Sequence, residues 1–171
     1  MTRPLALVTG GSRGIGRAVA EILSPTHHIL VGGRDAARVA EAVAALPSAE
    51  PFVADLTDET ALAAATSGIG QLDVLVHSAG RVAFGPVADS STAEWRDLLD
   101  LNVVAPATLT RLLLPALRSA GGLVVFLNSG AGLSASPGFS AYAASKFALT
   151  ALADALRGEE RGRVRVTSVH P

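Results

Sequence analysis

The sequence predicts an α/β domain built on a single doubly wound parallel sheet. Two observations predict it: short apolar runs alternate about six times with longer helical patterns, and the connections between them are short. The connection between two parallel strands must cross back over the sheet, and it usually does so as a helix. This alternation therefore predicts a parallel sheet with helices on both faces. The length of 171 residues fits one domain. Residues 1–171 are therefore predicted to form one domain.

The first half of the chain supplies three strands and three helices. The apolar residues of the first predicted helix recur three and four positions apart, as on one face of a helix. We expect strands at Leu5–Val8, Ile29–Val31 and Phe52–Ala54, and helices at Ile15–Leu23, Ala36–Leu46 and Asp58–Ala65. Thr57 is expected to be the N-cap of the third helix.

The second half supplies three more strands, at Leu72–Val76, Leu123–Leu127 and Val164–Val169, and helices at Thr92–Leu117 and Tyr142–Leu156. Asn102 interrupts the long helical stretch and predicts either a break there or a cap. Residues 81–90 are expected to be a loop. The first five strands are nearly continuous apolar runs, which is typical of strands buried on both faces.

Composition narrows the class of protein. The 14 Lys and Arg residues nearly balance 15 Asp and Glu, so no broad basic field is expected and nucleic acid is not a predicted partner. The chain has no cysteine, which excludes disulfides, thiolate zinc sites and a cysteine nucleophile. The four histidines show no metal-ligand spacing, so no metal is expected. No apolar run approaches the ~20 residues of a membrane span, and no signal peptide is recognised, so a cytoplasmic protein without a membrane partner is expected.

A glycine-rich turn, T-G-G-S-R-G-I-G at residues 9–16, joins the first strand to the first helix. Such a turn lets backbone amides approach a pyrophosphate at a helix N-terminus, where the helix dipole favours an anion. Gly10, Gly14 and Gly16 match the pattern T-G-x-x-x-G-x-G rather than G-x-G-x-x-G. The absence of G-K-[ST] argues against a P-loop nucleotidase.

Two other interpretations of this turn stay open. Gly10 to Gly14 also spells G-x-S-x-G, the nucleophile elbow of hydrolases, which would make Ser12 a nucleophile. That elbow needs an earlier strand to supply an oxyanion donor, and only nine residues precede Gly10. The turn could also be purely structural.

Tyr142 and Lys146 are four residues apart in a predicted helix and therefore lie on one face. An ammonium beside a phenol favours the phenolate, so the pair is a plausible general acid or base for carbonyl chemistry. Ser129 follows the fifth strand and His77 ends the fourth, at the sheet edge where ligands bind in open parallel sheets. By chance alone, a Y-x-x-x-K match is more often a surface tyrosine and a solvated lysine.

Five ordered motifs resemble those of the short-chain dehydrogenases/reductases, over the chain from Leu5 to Pro171. They are the glycine turn, S-A-G at 78–80, Asn102 in L-N-V, Ser129, and Y-A-A-S-K at 142–146. The resemblance implies a Rossmann-type sheet of order 3-2-1-4-5-6. It also implies hydride transfer between a nicotinamide and a carbonyl or alcohol substrate, and a homodimer or homotetramer.

The resemblance also implies a role for each matching residue. Tyr142 donates the proton, Ser129 bonds the carbonyl oxygen, Lys146 assists Tyr142 and holds the nicotinamide ribose, and Asn102 anchors a water. Asp55, followed by Leu56, matches the aspartate that contacts adenine. The expected cofactor-binding set is Gly10, Ser12, Arg13, Gly14, Ile15, Gly16, Arg34, Asp55, Leu56, Ser78, Ala79, Gly80, Tyr142 and Lys146.

The cofactor is predicted to be NADP(H). An acidic residue after the second strand would bond the ribose 2′-hydroxyl of NAD, but here the strand ends in Gly32-Gly33-Arg34. Arg34, with Arg13 from the glycine turn, could bind a 2′-phosphate through charge-assisted bonds. The alternative is that both arginines are only solvated, with Asp35 partly offsetting Arg34.

Three features depart from the family pattern. His77 and Ser78 stand where the family usually has two asparagines; His77 is either a second proton donor or, as we favour, a histidine that supports the sheet. Asn128 stands where a serine often precedes the catalytic serine. Family members usually continue beyond Pro171 with a substrate lid, a helix and a last strand, so the domain is expected to be incomplete and its sixth strand an exposed edge. A nucleotide-binding regulatory protein without turnover is therefore the alternative function.

Overall fold

The computed structural model describes residues 3–171; Met1 and Thr2, which belong to the predicted domain, lie outside the described residues. Its six strands are β1 Leu5–Thr9, β2 His28–Gly33, β3 Ala49–Val53, β4 Val74–His77, β5 Leu123–Leu127 and β6 Arg165–Val169. All neighbouring strands pair in parallel. They form one sheet in the order β3-β2-β1-β4-β5-β6, which confirms the predicted topology.

The helices are α1 Gly14–Leu23, α2 Ala36–Ala44, α3 Glu59–Thr66, α4 Thr92–Leu99, α5 Ala105–Ala120 and α6 Ser140–Glu159. A π-helical turn, Asp100–Val104, joins α4 to α5 and contains Asn102. The predicted irregularity lies at Asn102, but the chain stays helical from Thr92 to Ala120 rather than breaking there. Short 3₁₀ turns lie at Val87–Asp89 and Gly130–Gly132.

The core lies on both faces of the sheet. Successive strand residues point to opposite faces, so Leu7 and Val8 enter different clusters. Leu7 lies in the larger cluster with residues of α3, α5 and α6, including Leu109 and Leu149. Val8 lies in the smaller one with residues of α1 and α2, including Val39. This two-sided packing is the doubly wound arrangement that the sequence predicts.

Thr57 is not the N-cap of α3, contrary to the prediction. Asp58 occupies that position, and its carboxylate accepts a hydrogen bond from the Ala61 amide at 3.0 Å. Thr57 instead donates to Asp55 through both its amide and its hydroxyl. The error arises because threonine and aspartate are both good caps, and adjacent candidates cannot be separated by residue type alone.

The prediction that the first five strands are buried on both faces is wrong for two of them. β3 begins at Ala49, three residues before the predicted start, and leaves Glu50 and Pro51 exposed at the sheet edge. Proline is tolerated there because an edge strand has backbone groups that need no partner strand. In β5, alternate residues from Leu123 to Leu127 are only half-buried.

One helical stretch, Thr92–Ala120, is long and apolar enough to cross a membrane by length and composition alone, with a mean hydropathy of 1.2. Its leucines Leu109, Leu113 and Leu117 are buried against the sheet in the larger core cluster. These buried leucines account for part of the apolar character of the stretch, of which 39% of the most apolar window is buried.

His77 lies inside the fold at the end of β4. It is 3% exposed, its ring stacks on Phe126 of the neighbouring strand at 4.9 Å, and its Nε2 lies 2.8 Å from Thr110 Oγ1 of α5. Burial lowers the pKa of His77 from 6.5 to about 3. The ring is thus neutral near pH 7 and joins the sheet to α5, as the sheet-supporting interpretation predicts.

His77 should make the fold sensitive to acid. Between pH 6.5 and about 3 the unfolded histidine binds a proton and the buried one does not, so acidification favours unfolding. We expect this residue to contribute about 1.4 kcal/mol per pH unit to the fall in the free energy of unfolding. His77→Gln keeps a hydrogen-bonding group for Thr110 but cannot titrate, so its stability should fall less steeply. Urea unfolding between pH 6 and 4 measures both slopes; equal slopes would contradict this account.

Candidate active site at the carboxyl edge of the sheet

The glycine turn after β1 packs the start of α1 tightly against the strand end. Gly10 and Gly14 have φ angles of 64° and 56°, in the left-handed region that favours glycine. A Cβ atom on Gly16 would lie 2.3 Å from the backbone oxygen of Gly10. Because that neighbour is backbone, a side chain at position 16 would force the turn and the helix apart.

The first turn of α1 offers free backbone donors. Its N-cap residue, Arg13, makes no side-chain cap bond, and no atom lies within 4 Å of where a Cβ of Gly14 would be. The first amides of a helix have no partner inside the helix and sit at the positive end of its dipole. Ile15 is 56% exposed, and Ser12 is half-buried near Gly33. The turn therefore fits an anionic group such as a diphosphate.

Thr9 ties this turn to the segment after β4. Its hydroxyl donates to the Val76 carbonyl and accepts from the amides of Ser78 and Ala79, both at 3.1 Å. A Cβ on Gly10 would lie 3.0 Å from the Ala79 amide nitrogen, so the two segments are in backbone contact. Sequence reasoning missed Thr9 as a site residue, although a hydroxyl at a strand end just before a glycine is a usable signal.

Asn102 connects the β4 segment to α6. Its side chain is 2% exposed; the carbonyl accepts from the Arg81 amide, and the amide group donates to Arg81 O and Ser145 Oγ. Ser145 in turn donates to the Tyr142 carbonyl at 2.7 Å. A Cβ on Gly80 would meet Asn102 Oδ1 at 3.2 Å. Both side-chain donors of Asn102 are thus used, and its expected water-anchoring role remains a prediction.

Tyr142 and Lys146 lie together near the N-terminus of α6, as their spacing predicts. Lys146 Nζ is 5.8 Å from the centroid of the Tyr142 ring and donates to the Leu127 carbonyl at 3.0 Å. Lys146 is 7% exposed, and burial lowers its pKa to about 8. The lysine therefore presents a desolvated ammonium to the phenol at neutral pH.

Ser129 follows β5 and begins the turn Gly130–Gly132. Its Oγ accepts from the Ala131 amide at 3.1 Å, which uses an acceptor position and leaves the hydroxyl proton free to donate. Its backbone oxygen lies 2.9 Å from His170 Nδ1. A donor hydroxyl is therefore held at the same sheet edge as Tyr142 and Lys146.

The ends of β2 and β3 carry the remaining predicted residues. Arg34 is exposed and close enough to Asp55 for its charge to contribute to the lowered pKa of that carboxyl, although hydrogen bonds from Thr57 are the main cause. Leu56 is half-buried and packs against the larger core cluster. Arg13 is exposed at the glycine turn.

Aromatic side chains border Tyr142 on one side. Phe139 lies one helical turn before it, with ring centroids 6.5 Å apart, and Phe84 packs edge-on against Phe139 at 5.1 Å. The Gly85 amide donates to Gly138 O at 2.8 Å and holds the two loops together. Phe84 is 73% exposed. The space beside the phenol therefore has an apolar wall.

Together, these groups can bind a dinucleotide through its phosphates and exchange a proton with a ligand oxygen. A phenol, a hydroxyl donor and an ammonium lie at the same edge of the sheet as the glycine turn, whose backbone amides could bind an anion. Residues 3–171 hold no cluster of three or more histidine, aspartate or glutamate side chains that could bind a metal ion.

Comparison with known proteins identifies the family of the chain. Residues 4–171 match the family model of the short chain dehydrogenases. The short chain dehydrogenase tazN of Aspergillus terreus is 36% identical over 96% of this chain and 40% of its own length. Dehydrogenase/reductase SDR family member 4 of Homo sapiens is 35% identical over 100% of this chain and 66% of its own length.

A solved structure, a metagenomic short-chain oxidoreductase in complex with NADP, is 37% identical and superimposes with a TM-score of 0.90 over 99% of this chain and 82% of its own. The chain thus spans between two fifths and two thirds of the length of the two named curated relatives. The family match covers all but the first three residues. The chain belongs to the short-chain dehydrogenase/reductase family.

Proposed function

We propose that the protein is an NADP(H)-dependent oxidoreductase that transfers a hydride between the nicotinamide and a carbonyl or alcohol substrate. The observation that carries the proposal is the buried Lys146 ammonium 5.8 Å from the Tyr142 ring, on the same sheet edge as the Ser129 hydroxyl. The family match supports it. A nucleotide-binding protein without turnover is not favoured, because all three side chains are present.

The cofactor would be held by this chain's backbone as much as by its side chains. The free amides at the start of α1, from Gly14 to Gly16, would bind the diphosphate, and the Ala79–Gly80 backbone would lie beside it. Asp55 would contact the adenine. When bound, the nicotinamide supplies or accepts the hydride.

The proton would be handled by three side chains. Tyr142 would donate it to the substrate oxygen, and Ser129 would bond the same oxygen and stabilise its developing charge. Lys146 would assist Tyr142 with its positive charge, which it carries below its pKa of about 8. Lys146 would also hold the ribose, and Asn102 would anchor the water that resupplies the proton.

The proposed preference for NADP(H) rests on the end of β2. Gly32, Gly33 and Arg34 stand where an acidic residue would repel a 2′-phosphate, and Asp35, which follows them, is the N-cap of α2, where its carboxylate accepts from the Arg38 amide. Arg34 and Arg13 are both exposed at this edge, and Asp55 is already bonded to Thr57. A solved relative in complex with NADP supports the same choice.

The proposed substrate is an uncharged carbonyl compound with an apolar substituent. Phe139 and Phe84 form the apolar wall beside Tyr142. Between Arg118 and Lys146 the sequence has no charged residue, so the segment that carries Ser129 and Tyr142 offers no ion pair to a charged substrate. The proposed assembly is a homodimer or homotetramer through α5 and α6. Val104, directly before α5, and Phe147, on α6, are exposed apolar side chains.

Tyr142→Phe should abolish turnover while leaving cofactor binding nearly intact. Loss of the phenolic proton removes general acid catalysis, which typically contributes about 10²–10⁴-fold to the rate. Oxidation of NADPH with a panel of apolar ketones gives kcat, and NADPH fluorescence gives the dissociation constant. A variant that keeps more than half of the wild-type kcat would refute the role of Tyr142; a wild-type protein that binds NADPH but turns over no carbonyl or alcohol would favour the silent alternative.

Arg34→Ala should raise KM for NADPH and leave KM for NADH almost unchanged, because only NADPH carries the 2′-phosphate. A lost charge-assisted bond of roughly 1.5–3 kcal/mol corresponds to about a 10- to 100-fold increase. Arg38→Ala is the matched control. It also removes one positive charge close to Arg34, but Arg38 lies on α2 and forms an ion pair with Asp35. Steady-state kinetics with both cofactors makes the comparison. A wild-type kcat/KM that favours NADH would contradict the proposed specificity.

A further inference from the structure

Asn128, the residue before Ser129, is a buried side chain with no role in the proposed chemistry. It is 6% exposed, and its backbone amide donates to Val169 O of β6 at 2.8 Å. Its side-chain Nδ2 donates to Thr150 Oγ1 at 2.8 Å, while Oδ1 has no hydrogen-bond partner. A buried amide that is only half satisfied costs stability. Its one side-chain bond therefore needs an explanation.

Thr150 receives that bond one helical turn after Lys146 on α6. Its Oγ1 lies 3.1 Å from two carbonyl oxygens, those of Gly132 and Lys146. A hydroxyl has a single proton, so it donates to one of these carbonyls at a time. The Thr150 oxygen must therefore accept the hydrogen bond from Asn128. This requires the Nδ2 group of Asn128, and not its Oδ1, to face Thr150.

Gly132 shows how closely the Ser129 turn packs against α6. Its amide donates to Ser129 O at 2.9 Å. A Cβ on Gly132 would lie 2.7 Å from Asn128 Oδ1 and 2.8 Å from Lys146 O. Any side chain at this position would push the turn away from the helix. Glycine therefore lets the Gly132 carbonyl come within hydrogen-bonding distance of the Thr150 hydroxyl.

We propose that Asn128 and Thr150 are positioning residues that hold the Ser129 hydroxyl in register with Tyr142 and Lys146. When the Thr150 hydroxyl donates to Gly132 O rather than to Lys146 O, the hydrogen bonds form a path, here called the serine clamp: Asn128 to Thr150, Thr150 to Gly132, and Gly132 back to Ser129. Neither residue touches the substrate. The clamp rests on the proposed function, in which Ser129 and Tyr142 act on one substrate oxygen. A displacement of about 1 Å between such groups costs on the order of 100-fold in rate.

The test compares Thr150→Val, which keeps the shape and loses the hydroxyl, with Thr150→Ser, which keeps the hydroxyl. For Thr150→Val we expect kcat to fall roughly 10- to 100-fold, with KM for NADPH unchanged. Thr150→Ser should stay within about threefold of wild type if hydroxyl placement is what matters. Circular dichroism and urea midpoints establish that each variant is folded under the assay conditions. A Thr150→Val variant with wild-type kcat would overturn the clamp.

A double-mutant cycle separates positioning from a general structural role. If Thr150 acts through Ser129, Thr150→Val should lower kcat no further in a Ser129→Ala background. Losses that multiply in the double variant would show that Thr150 acts independently of Ser129, against the proposal.

Hydrogen exchange tests the clamp without any activity. The Gly132 amide, bonded to Ser129 O, should exchange faster in Thr150→Val and at the wild-type rate in Thr150→Ser. Equal exchange in all three proteins would refute the clamp even if the enzyme is active. A wild-type protein that reduces no carbonyl compound would refute the proposed function, while the exchange rates would still test the clamp.

Discussion

The candidate active site depends above all on the buried side chain of Asn102. Through one amide group it holds the backbone of Arg81, after β4, and the hydroxyl of Ser145, on α6. The Ser145 hydroxyl in turn donates a hydrogen bond to the Tyr142 carbonyl. The segment beside the glycine turn and the helix that carries Tyr142 and Lys146 are thereby fixed to one another. The π-helical turn at Asp100–Val104 is the local irregularity in which this inward-facing asparagine lies, and such turns are frequent at functional sites.

Much of the fold could be predicted because its causes are local. Apolar runs separated by glycine mark β1, β2 and β4, and helical spacing marks the elements between them. A polar Asn102 within an apolar helical stretch correctly marked the position of an irregularity, although the structure has a π-helical turn there rather than a break. The spacing of Tyr142 and Lys146 placed both on one face of α6, since helix geometry alone decides that. These predictions required no knowledge of which element packs against which.

The remaining features of the fold and the site could not be predicted, because they depend on contacts between distant parts of the chain. β3 begins at Ala49 because it pairs with β2 at the sheet edge, although Glu50 and Pro51 are poor strand residues. The packing of Leu56 against the larger core cluster is another tertiary contact that no local pattern predicts. Asn128 and Thr150 are 22 positions apart, so only the packing of β5 against α6 reveals that they are bonded.

The most direct test of the dinucleotide site is a titration of the ¹⁵N-labelled protein with NADP⁺, followed in ¹H–¹⁵N spectra. If the carboxyl edge of the sheet binds the cofactor, the amides of Gly14, Gly16 and Ala79 should shift in a saturable way. The Leu127–Ser129 segment should shift with them, because Lys146 bonds the Leu127 carbonyl in the structure and would turn towards the ribose. Amides on the opposite edge of the sheet should stay unchanged. Saturable shifts confined to that opposite edge, or no shifts at millimolar NADP⁺, would contradict this account of the site.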